Sequence, residues 1–309
     1  MMKTKWQSDW KTRFWAVVKY ELLWNIRKKK FIGVMALALA LATLSLALPV
    51  LVRNIAGEYL PQNPDYVIST GVGVGGLGMF LFAVAVAMNS ISGEFESGSI
   101  VPLLTKPVSR TIIFIGKLLA AFITLLAAYA SLLLYMAVGG WIIYGPQNNL
   151  HLLPLSLLGT LISTFVWIAM VIFIGTLSKS SLLAALGAFG IYMALNISAS
   201  IISVFTSQAW ILNYLPGSGA VGFIKENGTS MSVSTGTDNI ASNIIKCVLY
   251  PSVEVAYLKF SFAPGNPFTE LFREPLWFVL LRSLLVAFAY IIGLLAIAWH
   301  SFRHGQVLE

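Results

Sequence analysis

Long apolar runs separated by polar segments make up most of this 309-residue chain. A helix needs about 20 predominantly apolar residues to cross the ~30 Å hydrocarbon core of a bilayer, and six runs reach that length. The pattern predicts an all-α integral membrane protein with six transmembrane helices and a long loop, residues 206–275, between the fifth and the sixth. The predicted spans are approximately Phe31–Val52, Ile68–Ser92, Leu118–Tyr144, Leu155–Ser178, Leu182–Phe205 and Leu276–Ser301.

Composition and charge support a membrane location and predict an orientation. Hydrophobic residues make up 58% of the chain and charged residues only 10%, against roughly 25% in a soluble domain. Nine of the 20 Lys and Arg residues precede Phe31, ending in Arg27–Lys30. Basic residues beside spans mark the cytoplasmic side, so we expect both termini in the cytoplasm and Cys247 outside a plasma (cell) membrane. Because so many of these basic residues lie beside the first span, the net charge of +8 is interpreted as a membrane feature. The expected partner is the lipid bilayer, and no nucleic-acid partner is expected.

The segment before the first span has the pattern of an amphipathic helix. Trp6, Trp10, Phe14, Val17 and Val18 recur at helical spacing, with charged residues elsewhere on the helical wheel. Tryptophan beside lysine on such a helix favours the interface between water and acyl chains. We expect residues 1–30 to form a cytoplasmic amphipathic and basic helix, and residues 31–309 to form the six-span domain. A soluble helix packed on a partner is the alternative for the N-terminal segment.

Two further local patterns predict structure near the outer side. Gly71 and Gly75, at the start of the second span, are expected to form a face for close helix packing. In the long loop, the sequence DNIASNIIKCVL predicts a short amphipathic helix with Asp238 as its N-terminal cap. The following SVEVAYLKFSF fits either a strand or a second surface helix.

Several kinds of chemistry have no signature in the sequence. The first five predicted spans contain no ionisable Asp, Glu, Lys, Arg or His, which disfavours an ion-coupled carrier; Arg282 in the sixth lies near the outer end and can snorkel outward. The chain has no phosphate-binding loop of the form G-x-x-x-x-G-K-[ST] and no H-E-x-x-H motif. We therefore predict no catalytic residue, no metal site and no cofactor bound by this chain, which is not expected to be an enzyme.

One short segment concentrates charge and helix-breaking residues between two apolar runs. It reads GEFESGSIVPLLTKPVSR from Gly93 to Arg110 and lies on the predicted cytoplasmic side. Glycines and prolines limit its helices, and SIVPLL forms an apolar patch outside the bilayer core. An acidic, capped and partly apolar element of this kind is suited to docking a soluble partner.

This segment resembles a motif found after the second span in permeases of the type-2 exporter class of ATP-binding-cassette (ABC) transporters. The motif is E-x-E-x-G-T-[IL]-x-x-L-L-[ST]-x-P-[VIL]-x-R followed by G-K, and Ser99 replaces its usual threonine. The segment KYELLWNIRKKKF also resembles the acidic-leucine element and basic run before the first span of that class. The matching residues of the motif are Glu94, Glu96, Gly98, Ile100, Leu103, Leu104, Thr105, Pro107, Arg110, Gly116 and Lys117.

The resemblance implies a permease that pairs with a second permease copy, as a homodimer or a closely related heterodimer, and binds two cytosolic ABC ATPase subunits that hold ATP and Mg. It implies that the N-terminal helix and the acidic loop contact those subunits and transmit force. The expected contacts in the loop are Glu94, Phe95, Glu96, Ser97, Gly98, Ile100, Leu103, Leu104, Pro107 and Arg110. Those in the N-terminal helix are Trp10, Phe14, Glu21 and Arg27.

Two functions therefore remain open at the level of sequence. The first is the permease subunit of an ATP-driven ABC exporter, with a substrate path through the bilayer. The second is a membrane scaffold or biogenesis factor that recruits a cytosolic partner without a transport path of its own. Polar side chains in the spans, such as Ser163 and Thr164, are interpreted as packing contacts and do not identify a substrate.

Overall fold

The computed structural model describes residues 10–57, 62–96, 109–205, 209–226, 229–260 and 268–304. Within these residues, six helices are long and apolar enough to cross a membrane, as the sequence predicted. This confirms a helical membrane protein. The six candidate spans are Lys29–Ala56, Gly75–Glu96, Arg110–Tyr144, Leu150–Ser178, Ser181–Ile202 and Leu276–His304.

The described elements follow one another as helices, then a mixed loop, then a last helix. The terminal end of the bundle is defined as the end where the helices Trp10–Arg27 and Ser92–Glu96 lie near the last turn of Leu276–His304. The loop end is the end that carries the strands. The helices are α1 (Trp10–Arg27), α2 (Lys29–Ala56), α3 (Tyr66–Thr70), α4 (Gly75–Ala87), α5 (Ser92–Glu96), α6 (Arg110–Tyr144), α7 (Leu153–Ser178), α8 (Ser181–Phe205), α9 (Ile240–Leu249) and α10 (Leu276–His304). The strands are β1 (Val221–Glu226), β2 (Thr229–Ser234), β3 (Glu254–Phe260) and β4 (Phe268–Pro275).

Helix α7 forms the centre of the bundle, in contact with α4, α8, α9 and α10. Its Trp167 is fully buried and packs edge-on against Phe80 of α4 and Tyr192 of α8, with ring centroids 5.6 and 5.0 Å apart. Such edge-to-face aromatic pairs stabilise a core beyond simple burial. Helices α2, α8 and α10 instead leave many large apolar side chains exposed, which suits surfaces that face lipid or another subunit.

The second membrane segment is a broken helix. Helix α3 ends at Thr70, and the backbone φ angles of Gly71, Gly73 and Gly75 are +62°, +71° and +61° before α4 continues. Glycine adopts this left-handed region without steric cost, whereas other residues rarely do. A Cβ added to Gly75 would meet nothing within 4 Å. The predicted packing face is therefore wrong at Gly75, whereas a Cβ added to Gly71 would lie 3.5 Å from Oγ of Ser156 on the neighbouring α7. Both glycines serve the break in the helix.

The long loop contains a four-stranded antiparallel sheet in the order β2-β1-β3-β4, which the sequence did not predict. Strands β1 and β2 pair from Val221 opposite Ser234, and β3 pairs with β4 across a register shift at Tyr257. The open alternative for SVEVAYLKFSF is thus decided in favour of a strand. Its alternation explains this, because Val255 and Tyr257 are buried, whereas Glu254 before them is exposed and Ala256 between them is half-buried.

Helix α9 confirms the amphipathic helix predicted in the loop. Ile240 packs with Val166 and Ala287 of the bundle, and Ile245 packs with Ile68 and Leu152. The predicted cap is wrong, because Asn239 occupies the N-cap position without a side-chain cap bond. The hydroxyls of Ser163 and Thr164 make packing contacts, as expected: Thr164 donates to the carbonyl of Thr160 one turn earlier, and Ser163 lies within hydrogen-bonding distance of the carbonyls of Gly159 and Thr237.

Candidate functional site at the terminal end

Helices α1 and α6 lie in close contact at the terminal end. The buried residues of α1, Val18, Glu21 and Asn25, are spaced by three and four positions and so share one face. On α6, a Cβ added to Gly116 would come within 2.8 Å of Cγ1 of Val17. Glycine at this position therefore allows the two helices to approach, and it brings the next residue, Lys117, against the buried face of α1.

Lys117 is the centre of a buried acid–base cluster that we define as Glu21, Glu94 and Lys117. Its ammonium Nζ lies 2.5 Å from Oε1 of Glu21 on α1 and 2.8 Å from Oε1 of Glu94 on α5. The Lys117 side chain is only 4% exposed, and those of Glu21 and Glu94 are 8% and 18% exposed. A lysine buried to this degree requires paired carboxylates, because an isolated buried charge is strongly unfavourable.

A second lysine borders the acid–base cluster at the junction of α1 and α2. The Nζ of Lys28 donates a hydrogen bond to Oδ1 of the buried Asn25, at 2.9 Å. Burial lowers the pKa of Lys28 to about 8, although the nearby Glu21 carboxylate acts in the opposite direction. The cationic form is disfavoured because the site is poorly solvated. The terminal end thus combines two carboxylates with two lysines in a low-dielectric setting.

The two residues after Glu94 and the first residue of α6 attach this segment to two more helices, α8 and α10. Glu96 accepts hydrogen bonds from the backbone N–H of Ser181 at 3.2 Å and from its hydroxyl, which joins α5 to α8. Phe95 packs edge-on against Phe302 of α10, with ring centroids 6.1 Å apart. Arg110 Nη1 donates to the carbonyl oxygens of Phe302 and Arg303, at 3.3 and 2.7 Å. A guanidinium at these carbonyls complements the negative end of the helix dipole.

Beside the acid–base cluster lies an open cavity of about 660 Å³. One carboxylate oxygen of Glu94, Oε2, has no hydrogen-bond donor among the residues that the structure describes. A carboxylate with one oxygen paired and the other available suits a further basic contact. The cavity is lined by Tyr20, Glu21, Trp24, Asn89, Gly93, Glu94, Glu96, Lys117 and Ser181.

The structure brings together only part of the predicted contact set. Glu21, Glu94, Phe95, Glu96 and Arg110 all lie at the terminal end, where each contacts another helix. The role of these residues in docking a partner stays a prediction. The predicted contacts Ser97, Gly98, Ile100, Leu103, Leu104 and Pro107 lie outside the described residues.

The other predicted residues of α1 lie away from the acid–base cluster. Trp10 precedes Glu21 by eleven positions, about 16 Å along a helix, and its side chain is 60% exposed. Phe14 is half-buried and packs against Trp15, and Arg27 is exposed. An exposed tryptophan at the start of α1 agrees with the predicted interfacial helix, which likewise stays a prediction.

Sequence reasoning missed Lys117 as the residue that joins the predicted carboxylates. A signal for it was present, since a glycine followed by a lysine, seven residues into a long helix, marks a close helix contact next to a charge. The partner could not be read from the sequence, because Glu21 and Lys117 are 96 positions apart. Within the described residues, no group of three His, Cys, Asp or Glu side chains could hold a metal ion.

The comparison with protein families decides which kind of membrane protein this is. The model of the ABC-2 family of transporter proteins matches residues 15–304, nearly the whole chain. The chain belongs to the ABC-2 transporter family. A comparison with curated proteins gives no match. As an ABC-2 family member, the chain is a multi-pass membrane component of an ABC transporter and is not itself the catalytic component. The family match starts within α1, so it includes the acid–base cluster.

Proposed function

We propose that this chain is the permease subunit of an ATP-driven exporter and that the acid–base cluster couples it to separate cytosolic ATPase subunits. The observation that carries the proposal is the buried contact of Lys117 with Glu21 and Glu94, which joins three elements at one point. The complex would contain two permease copies and two ATPase subunits, which hold ATP and Mg. The membrane would be the plasma membrane, with both termini in the cytoplasm.

The contacts of the terminal end explain how a displacement would reach the spans. A partner docked on residues 97–108 pulls on α5 through Glu96 and on α6 through Arg110. Because separating the partners of a buried ion pair costs several kcal/mol, α1, α5 and α6 move together. The contacts of Glu96 with Ser181 and of Arg110 with Phe302 extend the movement to α8 and α10. The partner's motion thus acts on four membrane segments at once.

The proposal predicts that catalysis resides in another subunit. Purified alone in mild detergent, the chain is expected neither to bind nor to hydrolyse ATP, because its sequence lacks a phosphate-binding loop. Purified from its native host through an affinity tag, it is expected to carry an ABC ATPase that hydrolyses ATP in the complex. Mass spectrometry and a phosphate-release assay measure both results. Hydrolysis by the isolated chain contradicts the proposal, and a partner that is not an ATPase favours the scaffold function.

The proposed orientation can be tested with the single cysteine, Cys247, which lies on α9 at the loop end. A membrane-impermeant maleimide is expected to label it in intact cells. Its thiol is half-buried and burial raises its pKa, so labelling should be run near pH 8, where the thiolate fraction is larger. Lys19→Cys in a Cys247→Ser background should label only after permeabilisation. The reverse pattern for the two sites would mean that the termini lie outside.

A further inference from the structure

Asp238, a buried carboxylate at the loop end, has no part in the proposed coupling to the ATPase. Asp238 lies between β2 and α9 and is only 7% exposed. Its Oδ1 accepts a hydrogen bond from Nε1 of Trp167, in the centre of α7, at 2.8 Å. Its other oxygen, Oδ2, makes no hydrogen bond with the residues that the structure describes. An unpaired carboxylate oxygen at this depth is unfavourable unless something else binds there.

The surroundings of Oδ2 leave space for a ligand. A Cβ added to Gly76 would lie 3.2 Å from Oδ2 and 3.4 Å from the hydroxyl of Tyr192. Because residue 76 is a glycine, no side chain fills the space beside Oδ2 and the Tyr192 hydroxyl. A cavity of about 130 Å³ adjoins the carboxylate, whereas a single water needs only about 10–15 Å³. It lies against the break in the second membrane segment, between α3 and α4.

The lining of this cavity is rich in oxygen and poor in charge. Ser69, Thr70, Ser156, Thr160 and Ser242 contribute hydroxyls. The Thr160 hydroxyl donates to the carbonyl of Ser156, and the Ser69 hydroxyl donates to the carbonyl of Tyr66. Each hydroxyl proton is therefore already engaged, and each hydroxyl oxygen can still accept a hydrogen bond. Among the described lining residues, Asp238 is the one charged side chain.

Charge and hydrogen bonding together select the class of ligand. One carboxylate among neutral oxygens balances a single positive charge, whereas Ca²⁺ or Mg²⁺ would seek more oxygen ligands and usually more than one carboxylate. The unpaired Oδ2 and the hydroxyl oxygens all need hydrogen-bond donors. We propose that this cavity binds a small ammonium group, as the free ion or as the primary amine of a small molecule, whose N–H groups donate to Asp238 Oδ2 and to the surrounding oxygens.

The protonation of Asp238 sets the conditions for a test. Burial raises the pKa of Asp238 to about 7, while the Trp167 hydrogen bond and the Thr237 side chain act in the opposite direction. Among the residues that the structure describes, the Tyr192 hydroxyl is a second titratable group close to this carboxylate. Since a carboxylate whose pKa is raised is ionised only above that pKa, the site should bind ammonium at pH 8 and lose affinity at pH 6, where a proton competes.

The test uses the purified full chain in detergent and follows its thermal unfolding at pH 8 and constant ionic strength. Ammonium chloride is expected to raise the midpoint by at least about 2 °C over potassium chloride, because a ligand that binds only the folded state stabilises it. Potassium has the same charge and a similar size but no N–H donors. Methylammonium should act like ammonium if amines of larger molecules also fit, and tetramethylammonium, which lacks donors, should act like potassium.

A variant and its control locate the effect. Asp238→Asn keeps an oxygen for Trp167 and should abolish the difference between ammonium and potassium. Glu270→Gln, which changes an exposed carboxylate of the same loop, should leave the difference unchanged. Equal shifts by ammonium and potassium in the wild type overturn the proposal, even if Asp238→Asn fails to fold. An ammonium effect that persists in Asp238→Asn also overturns it. The test needs no ATPase, so its outcome is independent of the proposed coupling.

Discussion

Replacing Lys117 with methionine is expected to lower the thermal unfolding midpoint of the purified chain by about 6 °C or more. The side chain is almost fully buried between Glu21 and Glu94, and methionine preserves its length without its charge. Two carboxylates would then remain in a poorly solvated site without their base. Breaking a buried ion pair by removing one partner typically costs about 3–5 kcal/mol. The midpoint can be followed by tryptophan fluorescence in detergent.

The matched control is Lys19→Met, the same change at an exposed position of α1. It is expected to move the midpoint by no more than about 2 °C, since surface substitutions rarely exceed ~0.5 kcal/mol. Adding Glu21→Gln and Glu94→Gln to Lys117→Met should restore part of the loss, because the buried charges are then removed together. Equal midpoints for Lys117→Met and Lys19→Met would show that the acid–base cluster does not stabilise the terminal end.

The second large effect is expected from Leu104→Asp, which should abolish co-purification of the ATPase without lowering the unfolding midpoint. The sequence places Leu104 in the apolar patch predicted to dock that partner. A carboxylate introduced into an apolar contact is left unpaired, and ~1.4 kcal/mol already reduces affinity tenfold. Charge reversal at Glu94 is less suitable for this purpose. It would place a second base beside Lys117, and a loss of binding could then reflect misfolding.

Val248→Asp provides the comparison for Leu104→Asp. Val248 is an aliphatic residue of α9 at the loop end, and its side chain is 51% exposed. The same change there should leave the ATPase bound, as measured by the ratio of the two subunits after affinity purification. If Leu104→Asp keeps the ATPase at the wild-type ratio, residues 97–108 do not form the docking surface. The proposed coupling would then have to act through another part of the terminal end.

The six membrane helices could be predicted because their signal is local. An apolar run long enough to cross a bilayer has to form a helix there, because its backbone groups must be hydrogen-bonded within the segment. The six apolar runs of the sequence overlap all six candidate spans of the structure. Helix α9 could be predicted for a similar reason, since its isoleucines recur at helical spacing. The carboxylates Glu21 and Glu94 entered the candidate site through family resemblance, and the structure then placed them on a common base.

The features that the sequence did not reveal depend on pairing between distant residues. Lys117 lies just before the predicted third span, Leu118–Tyr144, whereas in the structure it is inside α6 and its side chain is 4% exposed. Asp238 was assigned to a cap because aspartate before an amphipathic helix usually serves there, whereas its partner Trp167 is 71 positions away. The sheet was missed because its central pairing, β1 with β3, joins segments on opposite sides of α9 in the sequence, and strand propensity depends on such partners. Helix breaks by glycine are likewise ambiguous, since the same residues also favour close packing.

The way the loop is fastened to the bundle has a consequence for biosynthesis. The hydroxyl of Ser163 on α7 donates to the carbonyl of Thr237, and that of Ser283 on α10 donates to the carbonyl of Thr235. The first of these helices leaves the ribosome before the loop and the second after it. The loop must therefore fold onto an incomplete bundle, which only the final helix, α10, completes. Deleting the loop would leave the Trp167 indole N–H without its acceptor in the middle of the protein, so this segment is not a removable appendage.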